Sequence, residues 1–189
     1  MIFGRKSHSD LVAKHYEKVW GGSGRDVGFI GGPLSELPDG FKVLEFEPHG
    51  SRSMWTYATC GMSSGEDISP IELHMFSAHK SGEPVELLVA TAHYHRTGSI
   101  LTVGHTVNFG KPWIDASPCE YGLISLPYLD GPKLENFELH GRIAARCLWL
   151  VPITKSEMEF KKENGLEALE DRFDEAQFNY LDPMREAVC

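Results

Sequence analysis

Glu72 and His74 stand two residues apart in the run Ile71-Glu72-Leu73-His74-Met75-Phe76. In an extended strand that spacing puts both on one face, with Ile71, Leu73 and Met75 on the other. A carboxylate and an imidazole side by side could share a proton and activate a hydroxyl supplied from elsewhere, which is hydrolase chemistry. The same pattern also describes a strand whose polar face simply meets solvent. Gly61-Met62-Ser63-Ser64-Gly65 has the spacing of G-x-S-x-G, but the run Glu66-Asp67-Ile68-Ser69-Pro70 that follows does not read as the helix a nucleophile elbow opens. Cys60 closes an apolar strand, where a thiol packs as a small hydrophobe. No catalytic residue is assigned, and hydrolysis on the Glu72–His74 face stands as the alternative reading.

Metal and phosphate chemistry find less support. His93 and His95 form an H-x-H pair with His105 ten residues further on. On a strand the pair would share a face and suit Zn²⁺. The surrounding pattern reads as a helix end, where the two rings diverge and the helix dipole favours a histidine. Gly21-Gly22-Ser23-Gly24 lacks the Lys-Ser/Thr and the preceding strand of a phosphate loop. Neither a metal nor a cofactor is expected.

The 189 residues carry 27 acidic and 18 basic side chains, a net charge of −9. A chain of that sign repels phosphate, so nucleic acid is not an expected partner. It suits a cationic protein surface, or it merely keeps the protein soluble. No apolar stretch approaches the ~20 residues of a membrane span, so no membrane partner is expected either. The segment Met1–Lys6 has no long apolar core of the kind a signal peptide needs. The four cysteines form no C-x-x-C pair. These features point to a reducing cytoplasm.

The elements that would position these residues follow from periodicity. Ser9 or Asp10 caps a helix running to about Val19, and Gly21 and Gly22 end it. A Gly- and Pro-rich loop covers 26–39. Strands are expected over 41–47, 52–59 and 71–76, then a helix from Pro84 to about His95. Beyond it, 121–126 reads as a short buried strand. The nearly continuous apolar run within 142–153 reads as a strand covered on both faces. Thr154 and Glu157 form a capping box at the start of the next helix. After Asn164-Gly165 a last helix brings Leu166, Leu169, Phe173 and Ala176 to one side. The class is α+β, a mainly antiparallel (mixed) sheet with helices packed against it. An N-terminal helix and loop (1–36) precede the main domain (37–189), the whole being one folded unit.

Three stretches resemble the suppressor of fused family. Trp55-Thr56-Tyr57-Ala58-Thr59-Cys60-Gly61-Met62-Ser63 is similar to its early signature, W-T-Y-x-T-x-G-M-S. Ile71-Glu72-Leu73-His74 and Glu86-Leu87-Leu88 follow in the family's order. The C-terminal run is the most specific: Leu150-Val151-Pro152-Ile153-Thr154, Glu157, Phe160-Lys161, Gly165–Leu169 and Tyr180-Leu181-Asp182-Pro183. The resemblance spans about residues 37 to 188. It implies a protein-binding module with no chemistry of its own. Eukaryotic members are two-domain cytoplasmic inhibitors that hold a transcription-factor peptide by strand addition. Bacterial single-domain members resemble immunity proteins that neutralise a toxin, and this chain has their length. It departs from the eukaryotic pattern in lacking a second domain. It also has Gly104-His105-Thr106-Val107 where those relatives read G-D-H-V, so His105 replaces the aspartate that meets the peptide.

The expected partner is therefore another protein, either a basic toxin domain or an extended peptide, and two surfaces are candidates. Residues 155–189 carry ten acids against five bases, a net of −5. Glu167, Glu170, Asp171 and Asp174 recur at three- and four-residue steps, which makes one helical face acidic; it either docks a basic partner or is simply solvated. The second is a sheet edge that accepts a strand, for which 71–76 (Glu72, His74) and 104–109 (His105, Thr106) are the candidates.

Overall fold

A computed structural model of the chain describes residues 7–28, 36–64 and 69–189. The first helix, α1 (His8–Trp20), is capped by Ser7, whose side chain accepts from the Asp10 amide while the Asp10 carboxylate accepts from the Ser7 amide. That capping box starts two residues before the expected Ser9 cap, because the N3 acid that closes it is Asp10. Strands β1 (Arg25–Asp26), β2 (Lys42–Phe46), β3 (Trp55–Cys60) and β4 (Ile71–Ser77) follow, then α2 (Glu83–Thr97). Next come β5 (Thr106–Asn108), β6 (Cys119–Ser125), α3 (Pro132–Glu135), β7 (Asn136–Leu139) and β8 (Arg142–Thr154), and finally α4 (Lys155–Asn164) and α5 (Leu166–Ala176). Of the loop expected over 26–39, residues 29–35 lie outside the described residues.

The strands form one sheet in the order β1-β2-β3-β4-β8-β6-β5. Its single parallel ladder joins β4 to β8, with Ile71 opposite Arg146 and His74 opposite Trp149. The remaining ladders are antiparallel. The long strand β8 takes β4 along one side. Along the other it takes β7 opposite residues 142–146 and β6 opposite 149–154. The mixed, mainly antiparallel α+β expectation is thereby met.

Both faces of the sheet are covered. On one, α2 lays Leu87 and Leu88 over Tyr57, Leu73, Met75 and Leu148. On the other, α1 lays Val12, Tyr16 and Trp20 over Phe46, Ala58 and Cys147. Beside α1, helices α4 and α5 cover Leu123, Trp149 and Val151 with Met158, Leu169 and Phe173. Period-2 alternation in β8 supplies apolar side chains to both layers. In β4 it sends Ile71, Leu73 and Met75 to the α2 layer and Glu72, His74 and Phe76 to the other, where all three are buried. Ala176, expected to face the core, is exposed at the end of α5.

Candidate functional site

The Glu72–His74 pair lies sealed inside the protein. Strand β4 is central, flanked by β3 and β8, so it offers no free edge. Neither side chain has exposed surface. The expectations of a solvent-facing pair and of an edge strand over 71–76 are both overturned, because α1 covers the face that alternation made polar. Glu72 is held by the end of β3. Its Oε1 accepts from the amides of Gly61 (2.9 Å) and Ser63 (3.0 Å) and from Ser63 Oγ (2.6 Å). Its Oε2 accepts from the Met62 amide (3.2 Å) and Thr59 Oγ1 (2.6 Å). Three successive backbone N–H groups thus make an anion nest, closed by two hydroxyls. Gly61 has φ +101°, and a Cβ there would sit 3.2 Å from the Phe41 Cα, so the turn requires glycine. Burial pushes the Glu72 pKa up, against hydrogen bonds that favour its charged form.

His74 has no hydrogen-bond partner on either ring nitrogen. Its ring packs edge-on against Trp20 at 5.6 Å and lies 5.2 Å from Phe76. Burial, then the nearby Arg52 charge, lowers its pKa to about 3. The ring is therefore a neutral core group at physiological pH. Every described donor around Glu72 is committed to it, and both side chains are wholly buried.

The loop at 104–109 is where an edge does occur. Thr106–Asn108 forms β5, the terminal strand beside β6. His105 is exposed, and its carbonyl accepts from the Ile124 amide at 2.9 Å. Thr106 is half-buried beside a shallow 240 Å³ cleft between β5 and α2, which Tyr94 and Phe109 also line. Residues 93 and 95 lie within α2, as the helical reading requires; the His95 ring turns inward and accepts from the Leu101 amide at 2.8 Å. Among the described residues no group of three or more His, Cys, Asp or Glu is placed to hold a metal ion.

A larger concavity lies elsewhere, between α5 and the open end of the β6–β8 surface. It measures about 770 Å³. Its floor is Leu123, Trp149, Val151 and Phe173; one wall is Glu167, Glu170, Asp171 and Asp174 of α5. No lysine, arginine or histidine is among its lining residues. All four acids proposed for α5 therefore meet at one groove, while Glu72, His74, His105 and Thr106 lie away from it. Glu170 is the organiser: it accepts from Ser125 Oγ and from the Tyr128 hydroxyl, each at 3.0 Å. Burial and the Glu170 carboxylate together push the Tyr128 hydroxyl up to about 12. The bond pins the turn after β6, whose Tyr128 and Leu129 form an exposed apolar lip, 58% and 47% accessible. At the turn's other side, Asp130 pairs with Arg52 at 2.6 Å.

The far wall comes from the chain beyond α5. Gln177 adopts a left-handed conformation and caps the helix, and the Phe178 amide returns to the Phe173 carbonyl. This stacks Phe178 on Phe173 at 4.2 Å and sets Tyr180 edge-on to Trp149 at 5.2 Å. A buried ion pair anchors the tail: Arg185 donates to Glu157 through Nη1 (2.6 Å) and Nη2 (2.8 Å) and lies over the Phe173 and Phe178 rings. Glu157 is thus more than the capping-box acid read from sequence. Burial raises its pKa, but the Arg185 hydrogen bonds and charge hold the carboxyl below its usual value. Trp149, Phe178, Tyr180 and the 128–129 lip were not among the site residues expected from sequence. The available signal was an apolar Tyr-Leu inside a Pro/Gly turn, which polar loops rarely carry.

The sequence model of the Suppressor of fused protein (SUFU) family matches residues 38–186. Among solved structures, the chain is similar to a SUFU (suppressor of fused protein) homolog from Neisseria gonorrhoeae FA 1090. The two share 31% identity and a TM-score of 0.84, over 96% of this chain and 97% of that one. A chain of the Sufu-Fu complex shares the fold at 14% identity and a TM-score of 0.70, over 96% of this chain and 92% of that one. Drosophila Suppressor of Fused is matched at 15% identity and a TM-score of 0.59, over 78% of this chain and 42% of that one. No curated protein sequence matches the chain.

Proposed function

The chain belongs to the suppressor of fused family, and from that premise we propose that it is a non-catalytic module that works by binding another protein. The observation that carries this reading is the pre-formed groove beside α5, with an aromatic floor and a wall of four carboxylates. A pre-formed cleft with an exposed apolar lip at Tyr128 and Leu129 and one sign of charge is what a partner surface needs and what an isolated fold does not. The name of the Sufu-Fu complex, a structural relative, agrees with protein binding as the family's mode. The hydrolase alternative has no comparable support, since its acid–base pair is enclosed and fully hydrogen-bonded at Glu72.

In its finer form, the chain is an immunity-type protein that neutralises or regulates a basic partner in the cytoplasm. The net charge of −9 and the match to a bacterial relative over 96% of this chain and 97% of that one support this. The four cysteines are unpaired, which fits a reducing compartment. The test is capture of the tagged chain from its own host, followed by reconstitution of a complex from purified components. One stoichiometric protein partner, whose harm to the host is relieved by co-expression of this chain, is the expected result. Hydrolysis by the purified chain, abolished in Glu72→Gln at full folding, would replace the binding role with a catalytic one.

A further inference from the structure

The binding reading above leaves open what enters the groove, and its lining narrows the answer. Glu167, Asp171 and Asp174 recur along α5 at intervals of four and three residues. At ~1.5 Å per residue this stripe is about 10 Å long. None of the three has an ion-pair partner among the described residues, and their side chains flank an apolar floor built on Trp149 and Phe173. Complementary chemistry is therefore a segment with apolar anchors and flanking cations.

The main chain decides the segment's shape. The strands under the groove, β6 and β8, are each paired on both sides. In the adjoining turn the Tyr128, Asp130 and Gly131 amides are spent on the Leu126 and Pro127 carbonyls, at 2.9, 2.9 and 2.7 Å. Neither strand is a terminal edge of the sheet, so an extended peptide there would bury its own N–H and C=O groups without an edge strand to pair with. A helix brings its backbone already satisfied and binds by side chains alone. We propose that the groove takes an amphipathic helix of the partner. Its apolar residues sit between Tyr128, Leu129 and Trp149, and Lys or Arg one turn apart face Glu167, Asp171 and Asp174.

A photo-crosslinking residue placed at Leu129, with Thr106 on the β5 edge as the comparison position, maps the occupant in the native host. The captured segment is then synthesised and its affinity measured with the full chain. Expected are a crosslink at 129, a segment with basic residues at helical spacing, and loss of binding when a proline is placed at its centre. Asp171→Lys combined with Asp174→Lys, both exposed positions, should weaken the peptide roughly tenfold or more and flatten its salt dependence. Asp171→Asn with Asp174→Asn serves as a second variant should the reversal fold poorly, and circular dichroism monitors folding of both. A crosslink to a second copy of this chain, a segment that binds extended, or unchanged affinity in both variants overturns the proposal. A complex captured through Thr106 alone removes the groove and leaves the binding role standing; no complex at all removes both.

Discussion

Acidification puts a proton on His74 when the chain unfolds but not while it is folded. The unfolded imidazole titrates near 6.5, and burial lowers the folded value to about 3. Because the folded pKa is depressed, stability is unaffected above about pH 6.5 and falls as pH drops below it, levelling off near pH 3. Each pH unit in that window costs ~1.4 kcal/mol, so at about pH 5 the loss from this residue is roughly 2 kcal/mol. For a domain whose whole stability is of order 5–15 kcal/mol that is a large fraction. Urea unfolding followed by tryptophan fluorescence at about pH 7.5 and pH 5 measures it. His8 is half-buried and its pKa is also lowered, so the informative quantity is the difference between the wild type and His74→Leu. Leucine cannot titrate and leaves no nitrogen unpartnered, so the variant should match or exceed the wild type at the higher pH. It should also lose roughly 2 kcal/mol less on acidification. Equal pH dependence in the two proteins would show that the buried ring reaches protons after all, and the reasoning would fail.

Glu72→Gln puts an amide where five donors converge; its NH₂ must face at least two of them, and the loss expected from denaturant melts is about 2–4 kcal/mol. A neutral result would mean the nest opens to water. Arg185→Ala leaves the Glu157 carboxylate buried without its cation, for which about 3–5 kcal/mol is the usual cost. The same change should free the tail, seen as faster amide exchange in Phe178 and Tyr180 and a weaker groove; protection equal to wild type would refute the strap.

The local signals in the sequence were sound, and the distant ones were silent. The Thr154–Glu157 capping box is an i, i+3 relation, so it was legible and is present. The long apolar run of β8 announced cover on both faces, and both are covered. Alternation in β4 correctly divided its side chains between two faces but said nothing of what lies opposite. Because α1 packs there, the polar face is core. Short elements escaped, among them β1, β5, β7 and α3, since two to four residues show no period. The acidic stripe of α5 was read in full, yet its groove depends on Tyr128, Trp149 and Tyr180, which only the tertiary fold brings together. The W-T-Y-x-T-x-G-M-S motif reads as a signature, and its physical content is the nest that Thr59, Gly61, Met62 and Ser63 build around Glu72.

The central place of β8 bears on how the protein is made. A ribosome delivers β1 to β4 early, but the strand that completes them arrives some seventy residues later, at Arg142–Thr154. Until then Ile71–Ser77, every residue of which is destined for the core, has one bare edge. Strand β6, which borders β8 on the other side from β4, waits for the same partner. The nascent chain therefore carries an adhesive intermediate from Ser77 until Arg142, about a third of its synthesis, and a chain ending before Arg142 should aggregate where the full-length protein stays soluble, as sedimentation of the two would show. Selection for a soluble product acts here on the timing of one strand as well as on the finished fold.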